Sequence, residues 1–161
     1  MKRIILTLIG VVALIQMSFA QLPKLELKDI DGKTVSVPAL VDGKNPVIIS
    51  FFATWCHPCI RELSAIHDVY EDWQDETGVK LIAVSIDKSS DMMKVKPLVK
   101  SKGWEYEVLL DPNQAFARTW KVNLVPFIFL LDKNGNIVYR HSGYVEGAEE
   151  ELYQELLKLG K

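Results

Sequence analysis

Both cysteines of this 161-residue chain lie in one short segment, Trp55-Cys56-His57-Pro58-Cys59. Two cysteines separated by two residues can close a small disulfide ring. If a helix begins at this point, Cys56 lies near its N-terminus, where unpaired backbone N–H groups and the helix dipole favour an anion. That environment stabilises a thiolate, the reactive form of the side chain. Cys59, three positions on, faces the same way but closer to the interior, so it can attack a mixed disulfide formed at Cys56. Pro58 is tolerated in a first helical turn and stiffens it. A protonated His57 imidazole beside Cys56 would favour the thiolate further and raise the reduction potential. The competing chemistry is metal binding. A zinc site usually needs four ligands, but the chain has no second CxxC, and His57, His67 and His141 show no ligand spacing. A c-type haem attachment would need His after the second cysteine, where Ile60 stands. The spacing favours thiol redox chemistry without a metal.

Such a pair needs a strand ending just before it and a helix starting with it. Val47-Ile48-Ile49-Ser50-Phe51-Phe52 is a nearly continuous apolar run, as in a central strand covered on both faces. From Pro58 to about Glu76 apolar residues recur at helical spacing through Ile60, Leu63, Ile66, Val69 and Trp73, and Gly78 stops the run. Upstream, Leu25, Leu27 and Ile30, then Val35 and Val37, alternate with polar residues around Asp31-Gly32, which predicts a hairpin. Downstream, 80–86 reads as a second buried strand. Ser89-Ser90-Asp91 can cap a helix to about Lys102, kinked or restarted by Pro97. Further on, the pattern predicts a short strand over 106–110 and a short helix running to Trp120. Strands over 127–131 and 137–141 are joined across Asn134-Gly135. A closing amphipathic helix over 148–159 carries Leu152, Leu156 and Leu159 on one face. Strands alternating with helices, followed by a hairpin, predict an α/β domain with a mixed central sheet flanked by helices.

The chain is 48% hydrophobic and 25% charged with a formal net charge of −2. That suits one globular domain plus a targeting segment. The charge balance lacks the basic face that nucleic acid requires. Lys2 and Arg3, the apolar stretch Ile4 to Ile15, and the small residues Ser18 and Ala20 form a secretory signal peptide pattern, with cleavage after Ala20. The expected domains are therefore residues 1–20, a leader, and residues 21–161, the folded part. The alternative is an uncleaved N-terminal membrane anchor. Loss of Lys2 and Arg3 takes the net charge to −4. Export allows the cysteine pair to exist as a disulfide.

Phe51-Phe52-Ala53-Thr54-Trp55-Cys56-His57-Pro58-Cys59 together with Val125-Pro126 before a strand resembles the thioredoxin-like proteins. The leading hairpin and an extra helix-strand unit, roughly Ser89 to Leu110, resemble the exported TlpA/ResA-like branch. The resemblance covers residues 22–160 and implies a thioredoxin-like fold with an N-terminal β-hairpin and one inserted helix-strand unit. It implies that Cys56 is the nucleophile and Cys59 the resolving cysteine. Trp55, Val125 and Pro126 would form the substrate groove, with Pro126 in a cis peptide and Val125 offering its backbone. Glu62 would match a carboxylate near the disulfide that tunes thiol pKa values and assists proton transfer. By its position alone Glu62 could equally be a solvated carboxylate favoured by the helix dipole.

Two departures stand out. Ser50 occupies the place of the buried Asp of cytosolic thioredoxins, which leaves Glu62 as the candidate carboxylate. Phe127 follows the expected cis-proline, where Thr is common, and should make the groove more apolar. The remaining candidates read as structural: His67 and His141 as surface or satisfied core residues, Met92-Met93 as packing, and Trp73, Trp104 and Trp120 as core or boundary residues.

The resemblance implies an exported, periplasmic thiol–disulfide oxidoreductase that reduces protein disulfides, with electrons from a membrane thiol–disulfide transporter. The clients implied are apocytochrome c cysteines, in cytochrome c maturation, or misoxidised exported proteins. No organic cofactor and no nucleic-acid partner are expected, and the chain is expected to be a monomer. The alternatives are a DsbA-type thiol oxidant, whose large helical insertion is not seen here, and a copper-binding chaperone with His141 as a distant ligand. Copper(I) sites of that kind usually show CxxxC spacing. A peroxiredoxin reading fails because the Pro-x-x-x-Thr/Ser-x-x-Cys context is missing before Cys56.

Overall fold

The computed structural model describes residues 22–160; the expected leader lies outside them. Asp31-Gly32 forms the predicted hairpin between β1 (Glu26–Asp29) and β2 (Thr34–Ser36). Asp29 Oδ1 accepts the backbone N–H groups of Asp31 and Lys33 at 2.8 and 2.9 Å. Gly32 supplies the positive φ of 89° that the turn requires. The second strand ends earlier than its alternation suggests. Pro38 starts a 3-10 turn over Val37–Leu40, so Val37 packs into the core from that turn rather than from the strand.

The central elements follow in the predicted order: β3 (Val47–Phe52), α1 (His57–Thr77) and β4 (Lys80–Ser85). Pro97 does not kink a long helix. A 3-10 turn over Met92–Lys94 precedes α2 (Val95–Lys102), and Pro97 sits within the first turn of α2, where its missing N–H costs nothing. Met93 is exposed and does not pack. The chain continues through β5 (Glu107–Leu110), α3 (Ala115–Thr119), β6 (Phe127–Leu131), β7 (Ile137–Ser142) and α4 (Ala148–Leu157).

The strands form one sheet in the order β2-β1-β5-β4-β3-β6-β7. β3, β4 and β5 are parallel, whereas β6 runs antiparallel to β3 and β7 antiparallel to β6. The inserted α2–β5 unit widens the sheet beyond β4, and β1 pairs antiparallel with β5. The insertion therefore joins the leading hairpin to the sheet.

Alternation along β3 divides the core in two. Ile48 and Phe52 face α1, α2 and α4, in a cluster that also holds Cys56, Cys59, Leu63, Leu130 and Leu156. Val47, Ile49 and Phe51 face the other way, against Val37, Phe116 and Phe129. Burial on both faces explains why β3 reads as an unbroken apolar run. Its single polar member, Ser50, is also fully buried and by alternation points to the α1 face.

Candidate redox site

β3 ends at Phe52 and α1 begins at His57, so three residues and the helix cap carry the turn. Cys56 is the N-cap of α1, and its Sγ accepts the backbone N–H of Cys59 at 3.3 Å. Its backbone N–H donates to Ala53 O at 3.0 Å. His57 and Pro58 occupy the first helical positions and are exposed. Cys56 and Cys59 are joined as a disulfide. Cys56 is 5% exposed and Cys59 is fully buried, so of the two sulfurs only that of Cys56 sits in a residue with any surface. The helix-start geometry thus places a backbone donor on the outer sulfur, which favours negative charge there once the pair is reduced.

The peptide bond Val125–Pro126 is cis, and Val125 O lies 3.7 Å from Cys56 Sγ. Pro126 is buried. Its carbonyl accepts the N–H of Gly143 at 2.9 Å, which draws the β7–α4 loop to the same place. The loops that meet at the disulfide carry exposed apolar side chains: Trp55 (64% exposed), Leu124 and Val145. Phe127 is half-buried and stacks on Phe129, with ring centroids 4.7 Å apart, against the cluster on the sheet face opposite Cys56 and Cys59. Trp55 and Leu124, next to Cys56 and Val125 in the chain, are exposed.

Glu62 lies one turn along α1 from Cys59, on the same face. It is only 3% exposed, so it is not a solvated carboxylate. Ser50 Oγ donates to Glu62 Oε2 across 3.5 Å, a long contact. Removal from water pushes the Glu62 pKa up to about 8; the Ser50 hydroxyl opposes the shift and the charge of Glu149 adds to it. The residue replacing the usual buried Asp and the candidate carboxylate are therefore partners in one buried pair.

Asp87 carries no motif and escapes sequence reasoning, yet it anchors the loop that leads into the cysteines. Its buried carboxylate accepts the Thr54 backbone N–H at 2.9 Å and the Thr54 hydroxyl at 2.7 Å. Ser85 Oγ donates to it at 2.8 Å. One acidic side chain at the end of β4 thus holds the residue two before Cys56.

The other histidines are dispersed. His67 is half-buried on α1, and its Nδ1 has no hydrogen-bond partner, contrary to a satisfied core residue. It lines a polar cleft of about 760 Å³ that contains none of the redox residues. His141 lies on β7 beside Glu62, in a small cavity that neither cysteine lines. Among the described residues no three His, Cys, Asp or Glu side chains converge as a metal cluster. Trp73 and Trp104 are buried in the α1-side core.

Residues 20–140 match the model of the AhpC/TSA family. The thiol-disulfide oxidoreductase ResA of Bacillus thuringiensis is 32% identical over 137 residues, covering 85% of this chain and 75% of that protein. Among solved structures, a thioredoxin-like protein from Porphyromonas gingivalis is 57% identical and superposes with a TM-score of 0.78 over 88% of this chain and 93% of its own. A protein from Chlorobium tepidum described as the thiol:disulfide interchange protein DsbE is 26% identical, with a TM-score of 0.75 over 89% and 97%. With a disulfide-closed CxxC at the start of its first long helix, the chain belongs to the thioredoxin-like AhpC/TSA family and is a thiol–disulfide oxidoreductase of the ResA/DsbE type.

Proposed function

We propose that this protein is an exported reductant of protein disulfides, working in the periplasm. The observation that carries the reading is the pairing of an N-cap cysteine with a fully buried cysteine and a buried acid on one face of α1. The reduced protein attacks a client disulfide with the Cys56 thiolate. A Cys56–client disulfide forms and the first client sulfur leaves as a thiolate. Cys59 gives its proton to Glu62 and attacks Cys56 Sγ. The Cys56–Cys59 bond closes and the second client sulfur leaves. Two electrons pass from the dithiol to the client. A membrane thiol–disulfide transporter returns them, and cysteines of apocytochrome c or of misoxidised exported proteins are the clients.

Each residue then has a definite task. The Cys59 N–H and the helix start lower the cost of the Cys56 thiolate, and His57 adds to that effect. Pro58 stiffens the first turn. Trp55 and Leu124 offer an apolar rim to the client, and the backbone of Val125, held by Pro126, lies against the reacting sulfur. In this reading His141 serves no metal.

Cys59→Ser tests the scheme. The variant retains the nucleophile but loses resolution, so Cys56-linked mixed disulfides with exported proteins should accumulate and disappear under reductant. A variant that traps no client and only loses bound copper would establish the metal chaperone instead.

A further inference from the structure

Glu62 has a second neighbourhood, on the side facing β7 and α4. A cavity of about 10 Å³ opens there, room for roughly one water molecule. Its polar lining is Glu62 of α1, Tyr139 and His141 of β7, and Glu149 of α4; the rest of its wall is apolar. Ser50 of β3 approaches Glu62 from the sheet side, and β6 contributes only Ile128. Glu149 is held in place by the Tyr144 hydroxyl, which donates to its Oε2 at 3.2 Å. The Arg61 guanidinium lies 5.7 Å from the centre of the Tyr144 ring. His141 lies parallel to the Tyr139 ring, is only half-buried, and so reaches both the cavity and the surface.

A buried acid without direct access to water needs a route for its proton. We propose that His141 is the outlet of Glu62, passing the carboxyl proton through one cavity water to solvent, with Glu149 as the second polar wall of the route. This rests on the reading of Glu62 as the acid–base partner of Cys59. Burial keeps Glu62 protonated at neutral pH. Before it can accept the Cys59 proton it must release its own, and the cavity offers that exit. The outward step moves one proton from the carboxyl oxygen to water, from water to an imidazole nitrogen, and from the ring to bulk. No electrons move in this step. Glu62 is then anionic and takes the Cys59 proton as Cys59 sulfur bonds to Cys56 sulfur and the client sulfur leaves with its electron pair. His141 acts through Glu62 and is a positioning residue for the proton, not a group that touches the client.

The test uses the reduced full chain and the aromatic disulfide 5,5′-dithiobis(2-nitrobenzoate) in stopped flow. The first thionitrobenzoate released reports attack by Cys56; the second reports resolution by Cys59. In dilute buffer at pH 7, His141→Gln should leave the first release unchanged and slow the second about tenfold, the modest size expected of a group acting at one remove. Added imidazole should restore the second release in the variant. In the wild type the second release should not depend on imidazole, a reading that needs no variant to fold. An unchanged second release in His141→Gln, a slowing that imidazole does not repair, or a wild-type rate that climbs with imidazole would each overturn the outlet while leaving the oxidoreductase intact. Failure of the wild type to give any second release would overturn the resolving step itself.

Discussion

Glu62 makes a pH-dependent demand on the fold. Its carboxyl ionises near 4.5 in an ordinary setting and only near 8 in the oxidised protein. The unfolded chain therefore releases this proton more readily than the folded one. The associated stability is complete below about pH 4.5 and is lost as pH rises through about 8, by on the order of 5 kcal/mol. Glu62→Gln should remove that loss. Denaturant unfolding of oxidised protein at pH 5 and pH 9 should show the variant gaining on the wild type at the higher pH; an equal decline in both would mean that Glu62 ionises freely. His57 belongs to the same scale. His57→Ala should lower the reduction potential by roughly 15–30 mV, where 30 mV corresponds to about 1.4 kcal/mol for two electrons. A potential that stays put would leave His57 as an exposed bystander. Burial of Glu62 against Ser50 could not be derived from spacing, because a helix-start position fits solvent as well as core. The TlpA/ResA-like resemblance implies only a carboxylate near the disulfide at Glu62; the contact with the Ser50 hydroxyl comes from the pairing of α1 with β3 in space.

At the scale of elements, the strand-to-helix turn depends on a residue that no local pattern reveals. Asp87 is separated from Thr54 by all of α1 and all of β4, and an acidic residue after a strand reads as an ordinary loop position. Its role exists only once the parallel pairing of β3 and β4 brings Phe52 opposite Ser85. Asp87→Ala leaves the Thr54 N–H, the Thr54 hydroxyl and the Ser85 hydroxyl without their acceptor. It should cost roughly 2–4 kcal/mol in denaturant unfolding, since buried donors lose their partner. It should also slow the first, Cys56-dependent thiol reaction. Full stability in the variant would show that water replaces the carboxylate. Legibility varied with how local the signal was. Asp31-Gly32 and the 3.6-residue spacing of α1 are local, and both elements formed where predicted. Val37 was misplaced because Pro38 imposes its own turn on an otherwise alternating run. Phe127 takes its face of β6 from the pairing with β3 and stacks on Phe129, a placement that its nearness to Pro126 does not reveal.

At the scale of the molecule, the inserted α2–β5 unit and the hairpin extend the sheet on the side away from β6 and β7, which leaves the disulfide edge to three loops. The loops there carry the exposed side chains of Trp55, Leu124 and Val145, which in the proposed function offer apolar surface to client chains. The fold and the cysteine chemistry were readable from the chain, since strand, helix and CxxC lie in one contiguous stretch. The direction of electron flow was not, because potentials across CxxC proteins of one fold are set by small electrostatic differences around the thiolate. The most direct measurement is therefore the reduction potential of the Cys56–Cys59 pair, by equilibration in thiol/disulfide buffers and read through Trp55 fluorescence. A reductant fed from the membrane predicts a value near or below about −270 mV. A value near about −120 mV would make the protein an oxidant and contradict the account.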